Sequence, residues 1–129
     1  IVTALLVAGC PQTREEKGLS ETLSQYETFV RWAQWDAAVG FVAPEYLEQH
    51  PITRLDMDRL RLFRVTQYQV RSSTPVDGGD GLLQTVEIKM FNKHQARERT
   101  VIDEQNWKWN PDTERWQLHS GLPDPTQGR

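Results

Sequence analysis

Five side chains hold most of this sequence's capacity for chemistry: Tyr26, Tyr68, Asp103, Gln105 and Trp107. Between Arg97 and Trp109, the residues Val101, Asp103, Gln105, Trp107 and Trp109 fall at every second position. On a strand they share one face, which sets a carboxylate and an amide among apolar neighbours. Proton transfer at carbon needs a poised base and a donor that holds the developing oxyanion. Asp103 is the best candidate for the base, and Tyr26 and Tyr68 are its natural donors. The competing arrangement turns Asp103 to the outer face, paired across the sheet with an Arg or Thr. That second arrangement is the favoured expectation, because structural ion pairs far outnumber catalytic carboxylates.

Other chemistry-bearing residues form weaker patterns. His50, His94 and His119 are scattered, none with a Cys, His or carboxylate at zinc-binding spacing, and they read as surface histidines. Asp77-Gly-Gly-Asp80-Gly81 has two acids but lacks the further oxygen ligands and terminal glutamate of a calcium loop, so it reads as a turn. Gly-x-Ser-x-Gly, a phosphate loop and a dinucleotide fingerprint do not occur, and no metal, cofactor or catalytic motif is expected.

The elements that must position these residues follow from periodicity. Leu19, Leu23, Tyr26, Val30, Ala33 and Ala37 recur at helical spacing, with Ser20 as a plausible N-cap. Phe29 and Trp32 widen the apolar face. Asp36 can cap a second short helix through Val39 and Val42, and Pro44 suits the first turn of a third. Another helical turn fits between Thr53 and Asp58. From Leu60 to Arg71 the period moves towards two, and the apolar residues change parity after Val65, which predicts a bulge or strong bend. Residues 72–81 read as a loop by composition. Leu82 to Phe91 alternates as a half-buried antiparallel strand, and Arg97 to Trp109 and Arg115 to Leu122 supply two more. Helices followed by about four antiparallel strands predict an α+β fold, its N-terminal helices packed on a curved, cone-like sheet.

The pair Trp107-Lys-Trp109 and Trp116-Gln-Leu118, joined by an Asn-Pro-Asp turn, resembles the closing hairpin of the nuclear transport factor two-like group, also called cystatin-like. The junction Gln34-Trp-Asp-Ala-Ala38 resembles that group as well. The resemblance covers about Leu19 to Leu122 and implies a long helix cradled in a curved sheet, often around a cone-shaped pocket. Some members, such as ketosteroid isomerases and dehydratases, place Asp, His or Tyr inside the cone. No residue here matches an isomerase motif in series, so none is carried over.

The first ten residues set the expected address. Ile1 to Gly9 is uncharged and too short to span a bilayer, and Val7-Ala8-Gly9-Cys10 resembles the lipobox of bacterial lipoproteins. That resemblance implies lipidation of Cys10, cleavage between Gly9 and Cys10, and a palmitate-type membrane anchor. It further implies a periplasm-facing place in the cell envelope, with Pro11 favouring the outer over the inner membrane. Lacking a Met and a basic start, residues 1–9 read as the C-terminal part of a signal peptide whose beginning lies upstream. The opposing reading makes residues 1–10 a strand or helix ending in a buried cysteine. Residues 10–18 are then a lipidated tether, of which the eight from Pro11 to Gly18 reach only ~15 Å on average. Residues 19–122 form one domain, and residues 123–129 are expected to fray.

Composition narrows the function. A net charge of −3 argues against a nucleic-acid partner. Cys10 is unique, so no intrachain disulfide forms, and five Trp, four Phe and three Tyr must supply the packing. Arg54, Arg59, Arg61, Arg64 and Arg71, with Lys89, Lys93, Arg97 and Arg99, would make a basic face if brought together, but interspersed acids favour a mixed-charge surface. The expected function is a non-catalytic, lipid-anchored accessory or binding module with an envelope protein as partner. The alternatives are a small-ligand carrier or isomerase-like enzyme using the cone, and a structural protein that self-associates through a strand edge. A plug of Trp32, Trp107 and Trp109 would mark the first, and a large cavity lined by Asp103 the second. Oligomeric state stays open.

Overall fold

The computed structural model describes residues 14–127, with side chains from residue 18 onward. The lipobox-like run from Val7 to Cys10 and the expected cleavage point within it lie outside the described residues. Helix α1 (Arg14–Arg31) is followed by three short helices, α2 (Trp35–Val39), α3 (Pro44–Gln49) and α4 (Arg54–Leu60). Four antiparallel strands follow in sheet order 1-2-3-4: β1 (Phe63–Val76), β2 (Gly81–Asn92), β3 (Arg97–Asn110) and β4 (Arg115–Leu118). This is the α+β architecture that the order of periodicities predicts. Among the described residues no helix is long and apolar enough to cross a membrane.

The central helix α1 packs against both edge strands, β1 and β4, so the sheet curls around it. Tyr26 and Val30 are wholly buried on its inner face, with Leu19, Leu23 and Phe29 beside them. The helix begins at Arg14, ahead of the expected Ser20 cap, so residues 14–18 are helical. Arg, Glu and Lys are good helix formers, which lets the helix extend past its apolar stripe. It stops where Ala33 takes a left-handed φ of 56°, with Gln34 N–H bonded to Phe29 O and Ala33 N–H to Val30 O. That is a Schellman ending built without glycine. Ala37 therefore falls in α2, whose N-cap is Gln34, and Asp36 sits in the first turn instead of capping it. Thr53 and Asp56 form a capping box at the start of α4.

Two register shifts, at Val65/Gln67 and Val70/Ser72, bend β1. The first lies at the parity change read from the sequence. The strand continues to Val76 through what composition marks as a loop, because Ser72, Ser73 and Thr74 pair with β2 and Pro75 is tolerated on an edge strand. Only residues 77–80 turn, with Asp77, Gly78 and Gly79 all at positive φ. A Cβ on Gly81 would lie 2.8 Å from Val76 Cγ2, so this close turn excludes a side chain there. The closing hairpin pairs Trp107 with Leu118 and Trp109 with Trp116. Residues 123–127, the described part of the segment expected to fray, are held against the domain. Pro123 and Pro125 are buried, a short 3-10 turn spans Pro125–Gln127, and Arg99 Nη1 donates to Pro125 O at 2.7 Å. Two desolvated prolines and a cation-donated hydrogen bond hold down a segment whose composition suggests a loose end.

Candidate functional site

Strand alternation places Val101, Asp103, Gln105 and Trp107 on the concave face, where all four are buried. The favoured outward pairing of Asp103 is thereby overturned: its register sets it opposite Val86 among the apolar residues under α1. At the centre of the face lies the Gln105 amide. Its Nε2 donates to Asp103 Oδ2 at 2.9 Å and to Tyr68 Oη at 3.1 Å. Its Oε1 accepts from Trp107 Nε1 at 2.9 Å and from Gln84 Nε2 at 3.3 Å. Both donors and both acceptor positions of the amide are engaged. Gln84 in turn accepts from Ser73 Oγ at 2.8 Å, which carries the network to β1.

Tyr26 stands over this network from α1. Its ring meets Trp107 edge-on at 5.2 Å and Phe41 at 5.6 Å, and the Phe41 and Trp107 rings lie 6.3 Å apart. These three rings pack on one another in the core. Of the three tryptophans whose plug would mark the non-catalytic reading, Trp107 alone is among these rings. Trp32 is 68% exposed with Arg31 over its ring, because the left-handed Ala33 ends the helix beside it and turns it outward. Trp109 packs on Trp116 at the end of the hairpin.

Burial pushes Asp103 up from the usual carboxylate value to about 6, opposed by the Gln105 hydrogen bond and aided by the neighbouring Glu104 charge. Burial likewise raises Tyr68, against its hydrogen bond with Gln105, with Asp103 and Glu27 adding to the rise. Tyr26 is raised well above the ordinary phenol range by burial first, then by Asp103 and Tyr68. Both tyrosines thus keep their protons beside a carboxylate that is ionised only near neutrality. The Tyr26 hydroxyl is buried without a hydrogen-bond partner among the described residues. All five residues singled out from the sequence converge here. Gln84, Ser73 and Phe41 were missed, although Gln84 stands as the polar member of the Leu82-Val86-Ile88-Met90 face, a legible sign.

Asp103 also borders a cleft of about 330 Å³ between β3 and the C-terminal segment, lined by Tyr46, Ile102, Glu104, Leu122 and Asp124. A second cleft of about 230 Å³ adjoins it, walled by Tyr46, His50, Asp56, Arg59 and Pro123. His50 stacks on Tyr46 at 4.4 Å. His94 is exposed in the β2–β3 turn, and His119 is half-buried after β4, its pKa lowered by burial and by Lys108 against the pull of Glu45. Among the described residues no group of three His, Cys, Asp or Glu side chains is placed to hold a metal. The basic residues do not form one face: Arg64 covers Phe91, Arg71 pairs with Glu87, Arg61 pairs with Asp36 and Asp58, and Arg99 covers Phe63.

Comparison of the chain with protein-family models, with curated proteins and with solved structures gives no match.

Proposed function

We propose that this chain is a lipid-anchored accessory module of the bacterial cell envelope, with a nuclear transport factor two-like domain that faces the periplasm and binds a partner. The observation that carries the binding-module reading is the state of the interior. Tyr26, Phe41 and Trp107 occupy the concave face, and the Gln105 amide has every hydrogen-bonding position engaged by protein groups. A ligand entering there would have to break hydrogen bonds of the Gln105 amide, at about 1–3 kcal/mol for each group left unpaired. Recognition is therefore assigned to the surface and its clefts. The anchor reading is supported by Val7-Ala8-Gly9-Cys10 and the unique cysteine, and Pro11 favours the outer membrane.

Two measurements test the parts separately. Cells expressing the chain and its Cys10→Ser variant are labelled with a fatty acid and fractionated. Incorporation and membrane association are expected only for the native cysteine, and equal behaviour of the two forms sinks the anchor. In-cell crosslinking of both forms is expected to recover a protein partner, and recovery of none in either form removes the accessory role.

A further inference from the structure

The uncovered edge of β3 has a direction that can be worked out from its neighbours. Asn106 points both backbone groups away from β2: its carbonyl accepts from His119 N at 2.7 Å and its N–H donates to Ser120 Oγ at 3.2 Å. Trp109, of opposite parity, points its N–H the other way, to Asp80 O at 2.9 Å. In an antiparallel strand these directions alternate, so Glu104 and Ile102 present their N–H and C=O groups on the same side as Asn106. That side is the cleft of about 330 Å³, and no residue among those described pairs with them there. The edge is closed at both ends. His119 and Ser120 occupy it at Asn106, and the Arg99–Pro125 hydrogen bond brings the C-terminal segment back across it. What stays open is a window about three residues long, or about 10 Å at a strand's rise.

The chemistry around the window is one-sided in charge. Asp103, 7% exposed, gives one carboxylate oxygen to Gln105, and its other oxygen accepts no hydrogen bond among the described residues. Glu104, Asp124 and Tyr46 line the same cleft. A desolvated carboxylate with Glu104 and Asp124 on the same cleft favours a cation. Unpaired strand groups favour a main chain that can pair with them.

We propose that the Ile102–Glu104 edge of β3, with Asp103 behind it, binds a short extended peptide segment carrying a basic side chain. The main chain of the segment continues the sheet in line with β4, and its ammonium or guanidinium group meets Asp103 and Asp124. The proposal deepens the binding-module reading and does not depend on the anchor.

The test uses the full chain purified in detergent and titrated calorimetrically with the end-blocked tripeptide Gly-Lys-Gly, its Nε-acetyl-lysine form and Gly-Glu-Gly. Saturable binding of the lysine peptide is expected, with loss of at least about tenfold on acetylation, as befits a charge-assisted hydrogen bond. Asp103→Asn is expected to lose a similar factor. Ile102→Pro removes an N–H that faces the cleft and leaves the β2 ladder intact, so it too is expected to weaken binding while thermal unfolding confirms the fold. No saturable binding, equal affinity for the acetylated peptide, or full affinity in Ile102→Pro overturns the proposal. Each result is read on purified chain, so a failure here leaves the fatty-acid labelling result standing.

Discussion

Replacing Asp103 with Asn should make the protein more stable near neutral pH and nearly neutral in effect near pH 4. The folded carboxyl titrates at about 6, against about 3.8 when unperturbed. Between those values the folded state holds a proton that the unfolded state has released, so stability falls as pH rises through this window. Below about pH 4 both states are protonated and the destabilisation is absent; above about pH 6 it is fully present. At about 1.4 kcal/mol per pH unit, the interval corresponds to about 3 kcal/mol. Asn is isosteric, never ionises, and can still accept from Gln105 Nε2 through its carbonyl oxygen. Urea unfolding of wild type and variant at pH 4 and pH 8 isolates the effect. Other groups, such as His119 with its lowered pKa and Asp56, whose carboxyl is held down by its Thr53 hydrogen bonds, contribute equally to both proteins and cancel. The variant should gain about 2–3 kcal/mol at pH 8 relative to pH 4. A gain under about 0.5 kcal/mol at pH 8 would refute the claim that Asp103 is desolvated on the concave face.

Removing the hub amide by Gln105→Leu leaves the Tyr68, Gln84, Trp107 and Asp103 groups without their shared partner, and should cost about 3–5 kcal/mol in denaturant unfolding. The opposite sign is expected for Tyr26→Phe, which removes a buried hydroxyl that has no partner among the described residues. Chemical denaturation should find it neutral or up to about 1 kcal/mol more stable. At the end of α1, Ala33→Gly relieves a left-handed alanine, worth about 1 kcal/mol before the unfolded-state entropy of glycine takes back part of it. A melting temperature raised by a few degrees is expected, and a lowered one would contradict the Schellman ending.

Much of the architecture is local and so legible in the chain. A 3.6-residue period gave the face of α1 that holds Tyr26 and Val30, a two-residue period gave β2 and β3, and a parity change after Val65 marked the bulge. Local rules were weaker where the decision rests on neighbours. Ser72 to Val76 has loop composition but becomes strand because β2 offers it a ladder, and residues 14–18 join α1 although their apolar stripe has not begun. The segment 123–127 looks like a fraying end until Arg99 and the buried prolines hold it.

The same division runs through the candidate site. Sequence by itself determined that Asp103, Gln105 and Trp107 share a face, because alternation is a property of one strand. It also determined that the chain carries a single cysteine. Which face that was, inward or outward, is a property of the whole sheet and its register against α1, and only the tertiary structure decided it. The interior position then changes the chemistry: the same carboxylate that would pair with an arginine in water becomes a raised-pKa acid beside two protonated tyrosines. The open edge at Ile102 and Glu104 is likewise invisible in sequence, since it exists only because β4 stops at Leu118 and the following residues swing away before returning at Pro125.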